Sequence, residues 1–279
     1  MTIIKENENN LEILNRNHFH EYFNTEAYLK DFYSKIEDPA MQLIIFHLPS
    51  ILARLPLNIN YLLDFGSGPT IYVAICFREK AKNIFLSDYL PQNRNELKLW
   101  LNGNSNFNWT NVLKLIAVHE AIPPPSFSDF TKMEQMAREK VRDIIHCDCH
   151  ISPSIQLNSP KYFDVITTFL TIEYCCLNKE EYKNAIKRLS ALLVPKEGIL
   201  IMGGVLEKSW CAFGGHRFSC LYIKKEFLLN TLEEAGLEIF KDSIGTKLFY
   251  ERDGIFLLVA KKVIEEKNEE NYEEIRMKG

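Results

Sequence analysis

Asn60-Tyr61-Leu62-Leu63-Asp64-Phe65-Gly66-Ser67-Gly68-Pro69-Thr70-Ile71-Tyr72 is the stretch of this 279-residue chain from which its fold can be read. The apolar run Tyr61 to Phe65 reads as a strand, Gly66 and Gly68 as a tight turn, and the segment from Thr70 to Lys80 as a helix. Those are the parts of a nucleotide-binding β–loop–α crossing. A backbone without Cβ turns sharply there and lets a ligand come close. A dinucleotide fingerprint would need a third glycine at position 71, where Ile71 stands, so the glycines alone are a weak signal. Asp88 strengthens it, closing the next apolar run (Ile84 to Asp88) about 20 residues after Gly68. A carboxylate at that distance suits a pair of ribose hydroxyls and not a phosphate.

Outward from this stretch, strands and helices alternate. On the N-terminal side, Met41, Ile44, Ile45, Leu48 and Leu52 predict an amphipathic helix over 39–55. Before it, Phe19, Tyr22, Phe23, Tyr28, Phe32 and Tyr33 crowd a polar background. Such rings either pack onto the domain or form a lid of tyrosines, apolar in body and polar at the tip. On the C-terminal side, helices are predicted from Gln92 to Leu101, Ser128 to Arg142, Lys179 to Leu193 and Lys225 to Ala235. Strands are predicted at Ile144–Cys147, Tyr162–Phe169, Ile199–Met202 and Ile255–Ala260, with a hairpin about Gly214-Gly215. The breaker Pro123-Pro124-Pro125 interrupts a longer excursion through Trp109. This alternation predicts an α/β fold with a mainly parallel sheet, helices on both faces, and ligands along the carboxyl ends of the strands. Gly66, Asp88 and Asp148 all fall at that edge. Without further context, the two aspartates are equally well read as strand-end carboxylates capping the following helix.

Composition bounds the function. A net charge of −4 argues against general nucleic-acid binding, which wants a basic face. No apolar stretch is long enough to span a bilayer, and the N-terminus lacks the apolar core of a secretory signal. Seven cysteines without a C-x-x-C pair suit neither a disulfide framework nor a zinc site, and no histidines show metal-ligand spacing. The expectation is therefore a cytoplasmic protein without a metal. Residues 1–17 are expected to be flexible, 18–262 to form a single domain, and 263–279 to be a charged tail.

Several segments together resemble the small-molecule methyltransferases that include nicotinamide, phenylethanolamine and indolethylamine (thioether) N-methyltransferases. They are Tyr22 to Leu29, Asp64 to Tyr72, Ser87-Asp88-Tyr89-Leu90-Pro91-Gln92-Asn93, Cys147-Asp148 and Leu192 to Gly198, in order along roughly residues 18–262. The resemblance implies a Rossmann-like seven-stranded methyltransferase sheet whose last strand is antiparallel, with S-adenosylmethionine as methyl donor and a monomer as the working form. It places Gly66 and Ser67 along the methionine half of the donor, Asp88 and Asn93 at the ribose, and Asp148 and the Cys149 amide at the adenine. It brings the hydroxyls of Tyr28, Tyr33 and Tyr72 to the methionine end and puts Phe169, where nicotinamide-methylating relatives have a threonine, among the donor-site residues.

For the acceptor, the resemblance is looser. Gly204 stands where nicotinamide-methylating relatives carry an aspartate, Cys220 replaces a serine, and Cys211 replaces a stacking tyrosine beside Trp210. Glu173 aligns with an acid used near the substrate amine, where a carboxylate favours a protonated amine and accepts its proton, directly or through water. The expected reaction is methyl transfer to the nitrogen of a small aromatic or arylalkyl amine. Nicotinamide or another pyridine as acceptor, a catalytically silent donor-binding protein and a nucleotide-dependent oxidoreductase are the alternatives; the last lacks its third glycine and leaves Tyr28 and Asp148 without a role.

Overall fold

A computed structural model describes residues 12–55, 58–120 and 126–263. Strand β1 (Ile13–Leu14), a 3-10 turn (Arg16–His18), α1 (Phe19–Tyr22), α2 (Thr25–Tyr33) and α3 (Pro39–Arg54) precede the sheet. Then β2 (Ile59–Phe65), α4 (Tyr72–Phe77), β3 (Ala81–Asp88), α5 (Pro91–Leu101), α6 (Thr110–His119), α7 (Phe127–Lys140) and β4 (Val141–His146) follow. Next come β5 (Val165–Phe169), α8 (Ile172–Cys175), α9 (Lys179–Leu192) and β6 (Ile199–Val205). The chain closes with the hairpin β7 (Trp210–Phe213) and β8 (His216–Ser219), then α10 (Lys225–Glu234), β9 (Leu237–Ile239), β10 (Phe249–Arg252) and β11 (Ile255–Lys262).

The main sheet runs β4-β3-β2-β5-β6-β11-β10, with β9 also on β11. Its members from β4 to β6 are parallel, and β11 enters antiparallel to β6. The expected strand count was seven; the outer edge of β11 is instead shared by two short segments, so the sheet has eight. β10 pairs Phe249–Arg252 with Leu258–Ile255, and β9 takes over along Ala260–Lys262. Between them the chain loops out and returns at the Lys241–Lys247 bridge.

Burial on both faces explains why these strands read as continuous apolar runs. Period-two alternation sends Leu62, Ile84, Leu86, Val165, Ile199, Ile201, Leu257 and Val259 to one core. It sends Leu63, Phe85, Ile166, Leu200, Met202, Phe256 and Leu258 to the other. α3 lays the predicted stripe of Met41, Ile44, Ile45, Leu48 and Leu52 on the first core, all at most 3% exposed. Asp38 caps that helix, accepting bonds from the amides of Ala40 and Met41, and Pro39 occupies its first turn.

Sequence and structure part in four further places. α4 is only six residues long, since the Thr70 hydroxyl turns back to the Ser67 carbonyl and delays the helix to Tyr72. α6 was not foreseen, although Val112, Leu113, Ile116 and Ala117 carry the helical period. α7 stops at Lys140 and β4 starts at once, earlier than the charged run suggested. Residues 12–17, expected to be flexible, are anchored: Ile13 and Leu14 pair in parallel with Arg217 and Phe218 of β8. This three-stranded sheet, β1-β8-β7, lies apart from the main one. The remainder of the expected N-terminal tail, the Pro123–Pro125 breaker and the C-terminal tail beyond Val263 lie outside the described residues.

Candidate active site

The strand-to-helix turn after β2 needs its glycines for two different reasons. Gly66 (φ +72°) has the Thr171 side chain on top of it; a Cβ there would lie 2.2 Å from the Thr171 methyl, whose hydroxyl donates to the Gly66 carbonyl at 3.0 Å. Gly68 (φ +59°) is different, with nothing nearer than 3.9 Å to such a Cβ. The space before Gly68 belongs to a cavity of about 1080 Å³, enough for a ligand of nucleoside size together with a small second molecule.

Asp88, at the end of β3, binds this turn to the next helix. Its Oδ2 accepts from the Gly68 amide at 2.8 Å, while Oδ1 accepts from the Leu90 amide (2.8 Å) and the Asn93 side chain (3.2 Å). Burial raises the Asp88 pKa, and these three donors pull it back. The carboxylate thus ties the glycine turn to the chain entering α5 and lines the cavity, without bonding a first-turn backbone amide of that helix. Asn93 in turn accepts a bond from the Thr25 hydroxyl (2.8 Å), tying the start of α2 to the site.

Gly66, Ser67, Tyr72, Asp88, Asn93, Asp148, Cys149, Phe169, Tyr28 and Tyr33 all line the same cavity. Asp148 accepts a bond from the His150 amide (2.8 Å), which fixes the turn after β4. Tyr33 stacks on Tyr72, with ring centroids 5.9 Å apart, and touches Tyr28 at the same separation. Burial pushes all three phenols above their ordinary range, so they stay protonated donors. The two readings of the N-terminal rings therefore merge. Tyr33 is 1% exposed and belongs to the core, yet it faces the cavity.

At the other end, β7 delivers Trp210, Cys211 and Phe213 to the cavity wall, alongside Tyr174, Leu170 and Val205. The carboxylates of Asp38, Glu207 and Asp253 also line it, with Lys208 as the cation beside them. Neither Tyr174 nor these acids were expected from sequence. Tyr174 packs against the cluster that holds Cys220, and the only hint was its place next to Glu173.

Glu173, Gly204 and Cys220 do not line the cavity. Glu173 is 1% exposed, and its Oε1 accepts from the Val205 amide at 2.9 Å while Oε2 has no hydrogen-bond partner. Burial raises its pKa to about 7. Gly204 leaves no opening, since a Cβ there would lie 2.6 Å from Glu173 Oε1 and 2.9 Å from the Phe256 ring. The space beside Gly204, where nicotinamide-methylating relatives carry an aspartate, is filled by Glu173 itself. Cys220 packs with Ala40, Val205 and Ile255 behind the wall.

The roof is aromatic. Leu14, Phe213 and Phe218 form its core, with Phe19, Tyr22, Phe23, Tyr28 and Phe32 against them. Among the described residues no helix is long and apolar enough to cross a membrane.

A glycine turn, a strand-end acid and a deep pocket at the carboxyl edge of a parallel sheet closed by an antiparallel strand define an S-adenosylmethionine-dependent methyltransferase. Solved structures share that fold. The chain matches a methyltransferase from Clostridium acetobutylicum at TM-score 0.52 and 14% identity, over 87% of this chain and 99% of the other. It also matches the magnesium protoporphyrin IX methyltransferase of Synechocystis PCC 6803, solved with bound donor, at TM-score 0.52 and 12% identity over 88% and 94% of the two chains. The chain belongs to the NNMT/PNMT/TEMT family, whose model matches residues 11–263, and is a donor-dependent N-methyltransferase. A nicotinamide N-methyltransferase of Caenorhabditis elegans is 38% identical over 86% of this chain and 89% of its own. An indolethylamine N-methyltransferase of Mus musculus is 27% identical over 86% and 93%.

Proposed function

We propose that this enzyme methylates the nitrogen of a small aromatic or arylalkyl amine. The carrying observation is that one cavity joins a polar donor half to an aromatic half lined by Trp210, Phe213, Tyr174, Phe169 and Tyr28. Bound S-adenosylmethionine supplies a methyl group already activated on a sulfonium. What remains for the chain is to hold both molecules and keep water out, which lowers the barrier by alignment and desolvation.

In this reading Gly66, Ser67 and the Tyr28, Tyr33 and Tyr72 hydroxyls hold the methionine half. Asp88 and Asn93 hold the ribose, and Asp148 with the Cys149 amide holds the adenine. Gly68 fits this assignment because the space before it is open. The acceptor's ring lies among Trp210, Phe213 and Tyr28, and its charge meets Asp38, Glu207 and Asp253 at the wall. Glu173 acts from behind that wall, as a positioning residue that fixes the Val205 amide and so the end of β6. Its Oε2, buried and unpaired, keeps proton-accepting capacity. Cys211 and Cys220, with burial holding both thiols up at about 12, are neutral packing groups beside Tyr174. The working form is a monomer in a reducing cytosol, in keeping with its seven free cysteines.

Nicotinamide is the second reading, supported by the name of the 38%-identical relative. Against it stand the buried Gly204, which brings no side chain to the cavity, and the aromatic wall. Incubation with methyl-labelled donor and a panel of arylalkylamines, nicotinamide and other pyridines, read by mass spectrometry, decides between them. The expected result is labelled N-methyl product from an arylalkylamine, at a rate rising from neutral to mildly alkaline pH as the amine loses its proton. Nicotinamide as best acceptor would overturn this assignment of the pocket. Donor binding with no product from any acceptor would leave a silent binding protein.

A further inference from the structure

The turn after β4 and the turn after α8 bring together side chains for which methyl transfer has no use. The Sγ atoms of Cys149 and Cys176 and a ring nitrogen of His150 all lie within 4.8 Å of one another. Cys149 Sγ is 3.4 Å from His150 Nε2. The two cysteines are buried at 4% and 3% exposure, and His150 is half-buried.

These separations suit one kind of ligand. Zinc–sulfur bonds of about 2.3 Å and zinc–nitrogen bonds of about 2.0–2.1 Å in a tetrahedron space S and N roughly 3.5 Å apart, and two sulfurs roughly 3.8 Å apart. Thiol and imidazole ligands select borderline and soft metals, whereas calcium and magnesium demand oxygens. A cation is already held here. Arg16 Nη1 lies 3.0 Å from His150 Nδ1 and 2.5 Å from Nε2, and donates to the Cys175 carbonyl (2.9 Å) and to Glu181 (2.8 Å). The sequence hid the set because Cys149 and His150 are neighbours and Cys176 is far along the chain, so no metal-binding spacing appears.

We propose that Cys149, Cys176 and His150 form a binding site for a thiophilic metal ion of the zinc class, which competes with Arg16 for the imidazole. Binding balances as one divalent ion taken up, two thiol protons released and the Arg16 guanidinium left to Glu181. The site shares Cys149 and His150 with the cavity wall, and it stands whether or not the acceptor reading is right.

The test uses the reduced full-length chain, titrated with Co²⁺ and then displaced by Zn²⁺. Expected is one equivalent of Co²⁺ with a sulfur-to-cobalt charge-transfer band in the near ultraviolet, abolished by Zn²⁺. Cys149→Ser and Cys176→Ser are each expected to weaken Zn²⁺ binding by about 100-fold, with melting curves confirming the fold, while Cys76→Ser leaves it unchanged. Arg16→Ala is expected to tighten binding several-fold, a gain that adventitious binding to exposed thiols would not give. Absence of the band, or a band that Cys149→Ser and Cys176→Ser leave unaltered, overturns the site. Unchanged affinity in Arg16→Ala overturns the competition.

Discussion

Replacing Gly204 by alanine adds one methyl group at a place that already holds the Glu173 carboxylate. The new Cβ would lie 2.6 Å from Glu173 Oε1 and 2.9 Å from the Phe256 ring, inside a strand with no free volume. Overpacking of this kind costs about 1–3 kcal/mol. If Oε1 moves away, the Val205 amide it serves at 2.9 Å is left buried and unpaired, which adds about 1–3 kcal/mol. Gly204→Ala is therefore expected to destabilise by about 2–6 kcal/mol in denaturant titration. Glu173→Ala alone loses the bond to Val205 but clears the space, so the double variant should cost less than the sum. A coupling of about 1–3 kcal/mol in the double-mutant cycle is expected, read from midpoints at constant m-value. Additive single effects, or a Gly204→Ala cost within 0.5 kcal/mol of zero, would show that the carboxylate does not fill this space.

Other expectations follow from the same contacts. Asp88→Ala removes the acceptor of the Gly68, Leu90 and Asn93 donors and is expected to weaken donor binding by on the order of 2–3 kcal/mol by calorimetry, with unchanged affinity removing Asp88 from the site. Asp64 is 2% exposed with one unpaired oxygen, and burial raises its pKa to about 7. Its contribution to stability is full below the unfolded value near 4 and is lost as pH rises toward 7, so Asp64→Asn should raise the melting temperature more at pH 8 than at pH 5, and an equal change at both would refute it. The Arg78 side chain is 3% exposed and meets Glu120 in two bonds of 2.8 and 2.5 Å, so Arg78→Ala is expected to cost about 3–5 kcal/mol in chemical denaturation, and a loss below 1 kcal/mol would make the pair dispensable.

How much was legible in the chain depended on whether the signal was local. The Asn60–Tyr72 stretch announces its strand and turn because buried parallel strands need an unbroken apolar run and the turn needs positive φ at Gly66 and Gly68. Asp88 was legible through spacing alone. β9 and β10 were not, because three- and four-residue strands borrow their hydrogen bonds from β11 and carry no period of their own. β1 was hidden for the same reason, its two apolar residues being too few to show a period within a polar tail. Glu173 misled because alignment fixes a position and not a rotamer. Whether its carboxylate faced the acceptor or Val205 depended on Gly204, in a strand about thirty residues away.

The small β1-β8-β7 sheet joins two stretches of chain that are 200 residues apart in sequence, residues 13–14 and 217–218. Its aromatic underside covers the cavity, and it shares no strand with the main sheet. A cover built this way stays in place as long as its two distant stretches stay paired. Parting β1 from β8 strands the polar backbone of both, so the exchange of spent cofactor for fresh would be governed by a single concerted event. Phe213 and Phe218, stacked 4.5 Å apart across the hairpin, would keep β7 and β8 together through that event.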